Sequence, residues 1–105
     1  MKSTISIVKK IKVLVQQKAP GAEVFLYGSR ARGKARHDSD WDVLILLNND
    51  KISNEEEKNI TDPLYDLEFE IGEVISPMIY SKKEWETKYK VTSFYSHVMK
   101  EAKLV

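Results

Sequence analysis

The chain has 105 residues, 42% hydrophobic and 31% charged, with a formal net charge of +1 and no cysteine. That size suits one small domain with a modest core, and the lack of cysteine excludes disulfides, thiolate metal sites and cysteine nucleophiles. Near-zero charge leaves no global field to recruit nucleic acid or an anionic membrane, and no run of about 18 apolar residues is present to span one.

In chain order, residues Ser3 to Lys18 read as a helix. Val8, Ile11, Leu14 and Val15 fall at helical spacing with lysines opposite, Ser3 is placed as N-cap, and Pro20-Gly21 ends the element. This N-terminal stretch lacks the unbroken apolar core of a signal peptide, so the cytoplasm is the expected location. Glu23 to Tyr27 is a short strand that stops at Gly28-Ser29, after which a turn should open a short helix. Trp41 to Leu47 is almost wholly apolar, the pattern of a strand covered on both faces. Asn54 to Ile71 reads as a second long helix with an Ile60, Leu64, Leu67, Ile71 stripe. Pro63 should kink or restart it, with Thr61 or Asp62 as cap. Glu73 to Tyr80 is a third strand, which Pro77 assigns to an edge or a bulge. Ser81 should cap a helix reaching Tyr89, and Thr92 or Ser93 a last one with Phe94, Val98 and Ala102 in register. With no repeat or linker in view, the expectation is a mixed α/β domain: a small mixed sheet with helices packed on it.

The informative segment is Leu26 to Leu46, LYGSRARGKARHDSDWDVLIL. Gly28-Ser29 at a strand end lets backbone N–H groups approach an anion closely. Arg30, Arg32, Lys34 and Arg36 crowd the same turn and suit a polyphosphate. Asp40 and Asp42 flank Trp41 at the head of a strand, where residues two apart share a face. Two carboxylates so placed repel, and a shared cation relieves the cost. Mg²⁺ takes one or two protein carboxylates together with substrate phosphate oxygens. A phosphate cradle beside a divalent-metal clamp is the equipment of phosphoryl or nucleotidyl transfer.

Gly28-Ser29, ten residues, then Asp40-Trp41-Asp42, with Arg32-Gly33 between, resembles the signature of the polymerase-β-like nucleotidyltransferase superfamily. It is closest to the minimal prokaryotic members of that superfamily. The resemblance implies a nucleotidyltransferase fold and Mg²⁺-dependent transfer of a nucleoside monophosphate, AMP in the leading reading, from an NTP such as ATP to a hydroxyl acceptor. It implies that Gly28 and Ser29 hold the β/γ phosphates, that Asp40 and Asp42 bind two Mg²⁺ ions as catalytic ligands, and that Arg30 or Arg32 steadies the triphosphate. Minimal members resemble one half of two-gene toxin–antitoxin systems. That implies oligomers and a HEPN-type helical partner, whose tyrosine hydroxyl can be the acceptor. The chain is short for an acceptor-binding domain of its own, which ranks small-molecule acceptors lower. Near-zero charge makes a polymerase acting on nucleic acid an unfavoured reading.

The superfamily's usual third carboxylate, on the next core strand, is not evident. Ser76 and Pro77 occupy the middle of that strand, leaving Glu73 or Glu70 (or Glu68) as displaced candidates. Its loss would favour the alternative of a catalytically degenerate, nucleotide-binding, antitoxin-like subunit that regulates a partner.

Each feature also has a plainer reading. Gly28-Ser29 alone is a tight turn with a helix cap. The two aspartates could belong to a solvated turn, but Asp42 enters an apolar strand, where an unpaired carboxylate is costly. Lys34 and Arg36 suit a solvated face, and Arg32 could pair with Asp38. His37 and His97 read as surface residues, Trp41 as core, and most of Tyr80, Trp85, Tyr89, Phe94 and Tyr95 as core. Glu55-Glu56-Glu57 fits a helix first turn.

Overall fold

The fold was described from a computed structural model, which describes residues 4–33 and 39–105. Helix α1 (Thr4–Lys18) leads into strand β1 (Glu23–Tyr27) and, across the Gly28 turn, β2 (Trp41–Leu47). Then come α2 (Asn54–Ile71), β3 (Ile75–Ser81), α3 (Lys82–Thr87), α4 (Ser93–Glu101) and a two-residue strand, β4 (Lys103–Leu104). The sheet order is β3-β2-β1-β4. β2 runs antiparallel to β1 and parallel to β3, and β4 closes the far edge antiparallel to β1.

β2 is central, and its alternation feeds two cores. Trp41, Val43, Ile45 and Leu47 point to one face and pack with Ile7, Ile11 and Val15 of α1 and Ile60, Leu64 and Leu67 of α2. Leu44 and Leu46 point to the other, against Trp85 of α3 and Val98 of α4. A strand buried on both sides has no polar face, which is why the segment reads as a continuous apolar run. Asp42 is its exception, and it lies on the α3/α4 face in the same row as Leu44 and Leu46.

The helical stripes land as their spacing requires, although Ile7, absent from the sequence-based stripe, is among the most buried residues of α1. Helix α2 runs through Pro63 without restarting. The bond that Pro63 cannot donate would go to the carbonyl of Asn59, an exposed residue where water can substitute. Its true start is a capping box: the Ser53 hydroxyl accepts from the Glu56 N–H while the Glu56 carboxylate turns back to the Ser53 N–H. Neither Thr61 nor Asp62 caps it. Gly72, left-handed at φ 70°, ends it. The third strand consequently begins two residues later than its apolar pattern suggests, leaving Glu73 and Val74 in the connection. It is an edge strand, as Pro77 requires. Ser81 caps α3, which stops at Thr87 rather than Tyr89, and Thr92 caps α4. Residues 29–33 form turns, and the stretch directly after them, expected to be helical, lies outside the described residues. Ser3, Lys34, Arg36, His37 and Asp38 lie outside the described residues.

Candidate active site at the Gly28 turn

β1 ends at Tyr27, and the chain turns back at Gly28, whose φ of 78° is open to glycine and strained for other residues. The turn is closed by the N–H groups of Ala31 and Arg32, both donating to the Gly28 carbonyl. A Cβ added at Gly28 would overlap Asp42 Oδ2 and lie 3.3 Å from Asp42 Cγ. The turn and the carboxylate are therefore in direct contact, and glycine is required there twice over, by backbone angle and by space. Ser29 sits half-buried on the turn.

Asp40 and Asp42 come to this spot from the head of β2, while the Trp41 ring between them turns into the opposite core. The Asp42 carboxyl is held above the ordinary carboxylate range, first by burial, then by the charge of Asp40, with Arg32 opposing. Tyr27 pairs directly across the ladder from Asp42. Its phenol is pushed up to about 12 by burial, then by Asp42 and Tyr80. On the other side of β2, Asp42 is in register with Ser76 of β3, and the Ser76 hydroxyl donates to Asp40 Oδ2 at 3.4 Å. Two carboxylates on one face of the strand head, the charge of Asp40 raising the proton affinity of Asp42 and a hydroxyl alongside, are a hard-oxygen set suited to a divalent cation such as Mg²⁺.

The other candidates are placed differently. The Arg30 side chain, 10% exposed, donates to the Glu73 carboxylate at 2.9 Å and to the Ser39 carbonyl at 2.8 Å. Its guanidinium lies 3.9 Å over the Trp41 ring. These contacts set Arg30 beside the Trp41 ring, whose other neighbours are in the α1/α2 core. Glu73, offered by sequence as a displaced third ligand, is the other half of that ion pair. Glu70 faces Lys10 at 3.9 Å on the outer helical layer. Glu68 accepts from the Ile75 N–H and steadies the start of β3. Among the described residues, no group of three or more acidic or histidine side chains could hold a metal. Arg32 is the exposed arginine of the turn. It makes paired bonds of 2.8 and 2.9 Å to Glu101 at the end of α4, a partner 69 residues away that local sequence could not suggest.

A family comparison decides the assignment: the nucleotidyltransferase domain family matches residues 8–104. The chain belongs to that family. The match takes in all of the elements from within α1 to β4, so the nucleotidyltransferase domain and the fold described above coincide. No curated protein sequence matches the chain. Among solved structures it is similar to the crystal structure of a toxin–antitoxin with AMP-PNP. The TM-score is 0.63 and the identity 17%, over 91% of this chain and 69% of that one. At that identity the likeness establishes the shared fold. In this nucleotidyltransferase domain the glycine turn and the two aspartates occupy one end of the β1–β2 pair. No helix among the described residues is long and apolar enough to cross a membrane.

Proposed function

We propose that this domain transfers a nucleoside monophosphate, AMP from ATP, to a hydroxyl group presented by a second protein. The observation that carries this reading is the contact between the Gly28 turn and Asp42. It brings a glycine bend suited to phosphate within one atomic layer of a carboxylate pair suited to a divalent cation. Membership of the nucleotidyltransferase family supports the reaction class. The adenine nucleotide analogue and the toxin–antitoxin identity of the similar structure support the choice of ATP and of a protein partner.

In this reading Gly28 and Ser29 hold the β and γ phosphates through backbone N–H groups and the serine hydroxyl. Asp40 and Asp42 would hold Mg²⁺, two ions in the full family arrangement, and the metal would supply neutralisation and polarisation of the phosphates for loss of pyrophosphate. Arg32, about half exposed, is the guanidinium placed to meet phosphate, and doing so would draw it from Glu101. Arg30 is engaged by Glu73 and the Ser39 carbonyl. The acceptor is a tyrosine hydroxyl of a HEPN-type helical partner. Incubation with α-labelled NTPs, Mg²⁺ and a candidate partner protein should label the partner, with ATP preferred and labelling lost in Asp40→Ala. Equal labelling by Asp40→Ala would remove the proposal.

A second reading has its own support. Among the described residues only Asp40 and Asp42 meet at the site, with Ser76 Oγ beside Asp40, and Glu70 and Glu73 are engaged elsewhere. Such a site could hold an NTP and regulate a partner without turning over. Tight Mg²⁺-dependent NTP binding with no pyrophosphate release under any acceptor would select it.

A further inference from the structure

The outer surface of the α1/α2 layer is strongly polarised. α1 carries Lys9, Lys10, Lys12 and Lys18 and no acid, whereas α2 carries seven carboxylates and one lysine. The helices lie antiparallel, with Lys10 near Glu70. An apolar groove of about 410 Å³ runs between them, floored by Val13, Leu14 and Leu67, with Lys9 and Lys10 on one bank and Glu70 on the other. Large apolar side chains stand out of the same layer. Phe69 is 92% exposed, and Tyr65, one turn earlier on α2, and Val13 of α1 are each about half exposed. Scattered exposed apolar residues are ordinary, but a phenylalanine bared to this extent on the outer face of α2, opposite its buried Ile60, Leu64 and Leu67, calls for an occupant.

We infer that this face binds a second copy of the same chain, as a two-fold dimer that sets the basic α1 of each copy over the acidic α2 of the other. The charge pattern selects the occupant. A groove with one positive and one negative bank is complementary to itself when turned about an axis running along it, because the rotation exchanges the banks. Both charge contacts then form twice, and Phe69 of each copy meets the apolar groove and lysine bank of the other. A uniformly basic or acidic partner would satisfy one helix and repel the other. The helices are 15 and 18 residues, or about 22 and 27 Å, at 1.5 Å per residue. A two-helix face of that length is on the scale of the smaller specific interfaces, about 600 Å² per partner. The Asp40–Asp42 site faces the α3/α4 side of the sheet, so the dimer leaves both sites open.

Light scattering over a concentration series reads the association. Wild type is expected to form a dimer that weakens as salt is raised, because the contacts are largely exposed ion pairs. Phe69→Glu should be monomeric with unchanged circular dichroism and melting, since that side chain packs on nothing in the monomer. Lys9→Glu/Lys10→Glu and Asp62→Lys/Asp66→Lys should each be monomeric alone and should dimerise when mixed. A wild type that stays monomeric overturns the inference, whether the face is bare or kept for another protein. So does a dimer that survives Phe69→Glu, or a mixture of folded charge-reversed variants that does not associate. None of these readouts depends on nucleotide transfer.

Discussion

Gly28→Ala tests the structural basis of the site, and Gly72→Ala supplies its control. Both glycines are left-handed, at φ 78° and 70°, so alanine pays about 1–2 kcal/mol of backbone strain at either. Their surroundings differ. At Gly72 an added methyl meets nothing within 4 Å, whereas at Gly28 it overlaps Asp42 Oδ2 and crowds Cγ at 3.3 Å and Cβ at 3.5 Å. Relief at Gly28 requires Asp42 to leave its rotamer, at about 0.5–1.5 kcal/mol, or the turn to move. Gly72→Ala should therefore cost about 1–2 kcal/mol and Gly28→Ala about 1.5–3.5 kcal/mol in urea unfolding. The binding readout separates them further. Calorimetric titration with Mg²⁺ and a nonhydrolysable ATP analogue should show Gly72→Ala at wild-type affinity and Gly28→Ala weakened at least ~10-fold, about 1.4 kcal/mol. Equal losses of stability in the two variants, with nucleotide affinity intact in both, would refute the argument that the turn and the carboxylate are mutually fitted.

Asp42 has its folded pKa raised by burial and by Asp40. The protonated form is therefore favoured on folding, and stability falls as pH rises from the unfolded value through the folded one. Metal-free Asp42→Asn should be more stable than wild type at neutral pH, with the difference vanishing in acid. Glu73→Gln should leave Mg²⁺ and nucleotide affinity unchanged while lowering stability. Arg30→Ala should cost about 2–4 kcal/mol, because it strands a partly buried carboxylate and uncovers Trp41; a Glu73 variant with impaired metal binding would contradict this division of labour. Ser53→Ala removes one half of the α2 capping box and should cost about 1 kcal/mol by chemical denaturation.

What was legible in the sequence was whatever rests on local periodicity and punctuation. β1 and β2 begin and end where their apolar runs do, and the core stripes of α1 and α2 follow helical spacing. The Gly28-Ser29 and Asp40-Trp41-Asp42 spacing marked a site because a strand–turn–strand brings its ends together. Contacts between distant segments were hidden. Arg30 reads as a phosphate ligand beside its neighbours, and only the fold reveals Glu73 as its partner, 43 residues on. Arg32–Glu101 spans 69 residues. The strand β4 has two residues, too few to carry a period. The Ser53–Glu56 capping box has a local signature, a serine followed three residues later by glutamate, whereas the break that Pro63 suggests is overridden by the buried stripe.

The central claim is that Asp40 and Asp42 share a divalent cation beside a phosphate held at the Gly28 turn. The most direct measurement is the anomalous scattering of crystals grown with Mn²⁺ and a nonhydrolysable ATP analogue. The account predicts a manganese peak bridging the two carboxylates, with the triphosphate seated on Gly28 and Ser29. Manganese bound elsewhere, or nucleotide seated away from the turn with Asp40 and Asp42 uncoordinated, would contradict it.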